Sequence, residues 1–88
     1  MNEQEYKERL LKRVLQYFGD QYILVRSKPI RIDGTDSVVV RLYPIGEEKA
    51  AIDYYPYEAT VFIPSLNYKE EGIIKEKVVE LFRKHFGE

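Results

Sequence analysis

The chain of 88 residues has no cysteine, a single histidine, and five glycines scattered singly at positions 19, 34, 46, 72 and 87. Each shortage removes a class of chemistry. Without cysteine there is no disulfide frame, no thiolate metal site and no cysteine nucleophile, and His85 alone cannot build a multi-histidine site. Isolated glycines leave no glycine-rich loop to cradle phosphates. Ser27, Ser37 and Ser65 have no histidine near them in sequence and no strand-turn-helix elbow around them, so serine catalysis is not indicated either. Long apolar runs are also missing. Nothing approaches the ~18 residues of a membrane span, and the opening MNEQEYKERL is polar and acidic, which reads as a cytoplasmic chain without membrane contact. Charge of one sign is absent in excess: 14 basic against 15 acidic residues leave a net charge of −1. No overall field pulls the molecule onto nucleic acid, so any such contact needs a local patch. Asn and Gln are scarce while Glu, Lys, Ile, Val and Tyr are plentiful, the bias reported for heat-adapted proteins.

What is present fits one small α+β domain over residues 1–88 with a single core. A domain this short buries only roughly 60–65% of the surface its unfolded chain exposes, so self-association is a natural way to add buried area. Residues 3–18, EQEYKERLLKRVLQYF, place Tyr6, Leu10, Leu11, Val14, Leu15 and Phe18 at helical spacing, and Gly19 is placed for a left-handed cap. The period then changes. YILVR (22–26), SVVVRLY (37–43), AAIDYY (50–55) and EATVFI (58–63) are short β-branched and aromatic runs bounded by turn residues, hence four strands in an antiparallel meander. PIRI (29–32) is a candidate fifth short strand across Asp33-Gly34, with Pro29 at an edge or a strand start. Residues 67–86 return to helical period with Ile74, Val78, Leu81, Phe82 and His85 or Phe86 on one side. Asn67 and Glu70 have the spacing of a capping box, while Gly72 weakens the first turns and allows a start as late as residue 72. The expected architecture is a two-layer sandwich, α-β-β-β-β-α, with both terminal helices on one face of the sheet.

The second face of the sheet then carries the candidate site. Strand alternation puts Val38, Val40, Leu42, Ile52, Tyr54, Ala59, Val61, Ile63, Ile23 and Val25 in the core. It leaves Arg26, Arg41, Tyr43, Asp53, Tyr55, Thr60 and Phe62 on the open face, with Tyr57 in the turn after Pro56. These tyrosines and Phe62 serve either as cross-strand pairs around an Arg41–Asp53 ion pair or as a docking surface. As a docking surface, Arg26 and Arg41 are bidentate donors, Tyr43, Tyr55 and Phe62 apolar anchors, and Tyr57 a rim residue. The expected function is a non-enzymatic interaction module for a protein partner or for its own copy as a homodimer. The alternative is nucleic-acid binding by base stacking on the same face, with Arg26, Arg31 and Arg41 as further contacts.

Two known arrangements share part of this order and fail on residues. Double-stranded-RNA-binding domains open their second helix with a lysine cluster, whereas here Glu70, Glu71 and Glu76 cancel Lys69, Lys75 and Lys77. Nucleases of the helix, three strands, helix order pair one acid with an acid, a residue and a lysine; after Asp36 the next strand offers Asp53-Tyr54-Tyr55, without the lysine. No metal, cofactor or catalytic residue is therefore expected, and Asp33 and Asp36 read as turn residues.

Overall fold

A computed structural model describes residues 2–19, 21–27 and 37–86. The candidate strand PIRI, its Asp33-Gly34 turn, Arg31 and Asp36 lie outside the described residues. Helix α1 spans Glu3–Leu15, a single 3-10 turn continues it over Gln16–Phe18, and a meander follows of β1 (Tyr22–Ser27), β2 (Val39–Pro44), β3 (Ile52–Tyr55) and β4 (Thr60–Phe62). Helix α2 (Tyr68–Phe86) closes the order α-β-β-β-β-α. All three strand pairs are antiparallel, in the spatial order β1-β2-β3-β4.

Local chemistry accounts for the boundaries. Asn2 caps α1 by accepting the Glu5 N–H at 2.8 Å, and Glu3 and Glu5 occupy the positive end of the helix. The left-handed cap expected at Gly19 is not adopted: φ is −74°, because the helix tightens into a 3-10 turn before it ends. Glycine suits the position for a different reason, since a Cβ would make a tight contact of 3.0 Å with the Gln16 carbonyl oxygen. Between β2 and β3, Gly46 at φ +87° with a 3.0 Å bond from Glu47 N–H to the Pro44 carbonyl forms a tight turn that needs a left-handed residue. The capping box at α2 is complete. Glu70 N–H donates to Asn67 Oδ1 at 2.9 Å and Asn67 N–H donates to Glu70 Oε1 at 3.0 Å, so the helix begins at Tyr68 and Gly72 does not delay it.

The core lies between one sheet face and both helices. Leu10 and Val14 of α1, and Ile74, Val78, Val79 and Phe82 of α2, cover Val40, Leu42, Ile52, Tyr54 and Val61, with Ile63 and Leu66 closing the end. Burial of each large aliphatic side chain contributes about 1.5–3 kcal/mol, which is why the helical and strand periods meet on this surface. Tyr6 and Leu15, both on the apolar stripe of α1 by spacing, stay exposed at its flanks. Phe18 extends the core as an aromatic stack: Phe82 meets it edge-on at 5.1 Å, Tyr22 edge-on at 6.3 Å, and His85 stacks on it at 5.5 Å. Glu71 accepts the Ile63 N–H at 2.7 Å and ties α2 to the end of β4.

Candidate functional site

The register fixes which side chains share the face opposite the helices. Val25 stands beside Arg41, Arg41 beside Asp53, and Asp53 beside Phe62, one row running across all four strands. Residues directly opposite in an antiparallel pair project to the same side, and so do residues two apart in a strand. Ile23 and Tyr43 therefore join this face at one end, and Val39, Tyr55 and Thr60 at the other, where Val39 is fully buried. Arg41, Tyr43, Tyr55 and Phe62 lie where strand alternation puts them, and Tyr57 is exposed in the β3–β4 turn.

Strand β1 is reversed relative to its sequence reading. Leu24 opposes Leu42 and Arg26 opposes Val40, both core residues, so Leu24 and Arg26 project to the helix side. Arg26 is thus not on the open face with Arg41. Ile23 and Val25, assigned to the core by their aliphatic character, project outward and are 53% and 41% exposed, beside Phe62 at 48%. The cause lies in YILVR itself: apart from Arg26 at its end both faces are apolar, so alternation within the strand is a poor guide, and only pairing with β2 decides. No property of the segment alone marks Ile23 and Val25 as surface residues.

At the centre of the face, Arg41 Nε lies 3.5 Å from Asp53 Oδ1, and the Asp53 side chain is only 16% exposed. That separation is at the limit of a hydrogen bond, and among the described residues the buried Oδ1 has no hydrogen-bond donor. Burial pushes the Asp53 carboxyl above the usual aspartate range, and attraction to Arg41 offsets only part of the effect. Burial, then the neighbouring Asp53 charge, raise the Tyr55 phenol, with Arg41 pulling it partly back. The face is therefore an apolar surface of Ile23, Val25, Phe62 and tyrosine rings around one imperfectly satisfied charge pair. It can bury another apolar surface and still offer a carboxylate acceptor and a guanidinium donor.

The β3–β4 hairpin rims this surface. Ala59 N–H donates to the Pro56 carbonyl at 3.3 Å and Ala59 takes a left-handed φ of 50°. Ser37 Oγ, buried just before β2, donates to the Glu58 carboxylate at 3.0 Å and holds the hairpin in place. A second concavity, of about 550 Å³, opens between the N-terminal turns of the two helices and is lined by Glu3, Gln4, Tyr6, Lys7, Lys69 and Ile73. Tyr6 OH bridges it by donating to Glu70 Oε2 at 3.1 Å. Its lining carries charges of both signs, Glu3 against Lys7 and Lys69. Among the described residues no group of three His, Asp or Glu side chains is placed to hold a metal ion. No helix among them is long and apolar enough to cross a membrane.

No protein-family model matches the chain, and neither a curated protein nor a solved structure is significantly similar to it. Only the geometry of the molecule bears on its function.

Proposed function

We propose that the protein is a non-enzymatic interaction module whose open sheet face docks a protein surface. The observation that carries this reading is the row Val25, Arg41, Asp53, Phe62: exposed apolar groups at both ends and a charge pair in the middle. Large exposed apolar side chains gathered on one face are uncommon on surfaces that meet only water. Phe62, Tyr43 and Tyr55 supply rigid ring area, Ile23 and Val25 supply aliphatic area, and Tyr57 stands at the rim. Arg41 provides orientation. Its Nε faces Asp53 while the side chain as a whole remains 37% exposed, which leaves guanidinium donors for a partner's acceptor.

Base stacking on the same face is less well supported, because Arg26 projects to the other side and Arg41 faces the carboxylate of Asp53. A duplex or single strand would meet one half-compensated cation where several are needed.

The test is a comparison of variants. Phe62→Lys is expected to weaken binding of the partner captured by the wild-type protein about tenfold or more, as loss of an apolar anchor does. Glu76→Lys, on the exposed side of α2, is expected to leave it unchanged. Equal binding by wild type and Phe62→Lys would overturn the reading.

A further inference from the structure

The two edges of the sheet are finished differently. Strand β4 is only three residues long, and the Ile63 N–H that follows it is taken by the Glu71 carboxylate at 2.7 Å, with α2 packed alongside. That edge is blunted. Strand β1 runs for six residues, YILVRS, with a single charge, Arg26, near its end, and among the described residues no strand lies beyond it. Natural sheets usually protect such an edge with charge, proline, a bulge or a covering element.

The hydrogen-bond phase shows what this edge offers. Ile45 N–H donates to the Gln21 carbonyl at 3.4 Å, in phase with the register Tyr22 to Pro44, so residues 21, 23 and 25 bond to β2. The backbone N–H and C=O of Tyr22 and Leu24 consequently point away from the sheet, and their side chains lean toward the helices. The exposed side chains of Ile23 and Val25 flank Leu24 on the open face.

We infer that β1 pairs antiparallel with β1 of a second copy of this chain about a twofold axis through Leu24, joining two four-stranded sheets into one of eight. Outward-facing residues must oppose one another in such a pair, so Leu24 faces Leu24 of the other copy and exchanges both of its backbone bonds with it. Ile23 then faces Val25, and Val25 faces Ile23, two apolar contacts on the open side that cover the most exposed aliphatic residues of the sheet. Tyr22 comes opposite Arg26, so the same register brings no like charges together. An isologous contact needs a self-complementary surface, and this strand has one. The inference rests on the interaction-module reading and deepens it: the partner at this edge is a second copy, and the two open faces become one continuous surface.

Sedimentation equilibrium on designed variants tests it. Wild type is expected to sediment at micromolar concentration as twice the 10.5 kDa chain. In Ile23→Lys/Val25→Lys the paired positions bring lysine against lysine twice, and the dimer is expected to weaken at least about tenfold. In Ile23→Lys/Val25→Glu the same two positions bring lysine against glutamate, and the dimer is expected to persist. Both side chains are solvent-exposed, so circular dichroism is expected to show both variants folded. Phe62→Lys, across the sheet from the edge, is expected to leave the dimer intact. A wild type that stays monomeric at high micromolar concentration overturns the inference, as does equal behaviour of the two double variants or dissociation by Phe62→Lys alone. A monomeric chain that still loses its partner on Phe62→Lys would remove the dimer only. An intact dimer whose partner binding ignores Phe62→Lys would remove the face reading only.

Discussion

Asp53 sits where two effects oppose each other. Its side chain is mostly buried, which penalises the charged form, and Arg41 at 3.5 Å favours that form. The carboxyl is shifted upward, so burial wins. A carboxyl whose pKa is raised on folding contributes stability that is fully present below the unfolded value of ~3.9 and lost as pH rises through the folded value. Asp53→Asn removes that loss while keeping an oxygen that can accept from Arg41. Its urea midpoint is expected to exceed that of wild type at pH 7 and to converge with it below about pH 4, where wild-type Asp53 is protonated. A lower midpoint for Asp53→Asn at pH 7 would show that attraction to Arg41 outweighs burial. The residue that looks like half of a stabilising ion pair in the sequence is, in place, a local cost, because its buried Oδ1 has no hydrogen-bond donor among the described residues.

At the scale of the element, strands β3 and β1 differ in how far alternation can be followed. In β3, Ile52 and Tyr54 are buried while Asp53 and Tyr55 are not, and the charge of Asp53 is enough to mark the wetter side. Tyr54 is 1% exposed and stacks on Phe82 with ring centroids 4.8 Å apart, so Tyr54→Ala is expected to cost about 3–5 kcal/mol in urea melts, the range for large core aromatics. Tyr55→Ala, a cross-strand contact beside Thr60, is expected to cost about 1 kcal/mol or less. Equal losses would place both rings in the core and contradict the observed register. In β1 the polar marker is missing from the middle of the strand, and the same rule gives the inverted answer. Capping is the most local feature and the most legible: Asn67 and Glu70 bond each other reciprocally, as their spacing predicts. Backbone bonding from Asn67 holds the exposed Glu70 carboxyl below its usual range, so its support of the helix is present above that range and fades as pH falls through the lowered value.

Across the whole molecule, near-equal numbers of basic and acidic residues leave little net field, so the association proposed above would depend on the local character of the face and edge. Both proposed contacts are mainly apolar and backbone-mediated. Partner binding is accordingly expected to change less than about threefold between 50 mM and 500 mM salt, whereas a nucleic-acid contact that neutralises several phosphates would weaken by orders of magnitude over the same range. An anisotropy titration at the two concentrations separates the two, and a steep salt slope would favour the nucleic-acid reading. Sheet topology gives the molecule its asymmetry: α2 guards the β4 edge, whereas β1 at the opposite end is bordered by no strand among the described residues.

The sequence by itself determined the two helices, the four strands, their order, the two-layer arrangement and the inward aim of Tyr54. Each of these rests on periodicity, capping or turn chemistry that acts within a few residues. Tertiary structure alone decided the faces of β1, and with them the removal of Arg26 from the candidate surface and the entry of Ile23 and Val25 into it. The physical reason is that a strand apolar on both sides has two nearly equal ways to face the core, and the choice is made by the neighbour it bonds to. Opposite Leu42 and Val40, only Leu24 and Arg26 can share the helix side, whatever their own hydrophobicity.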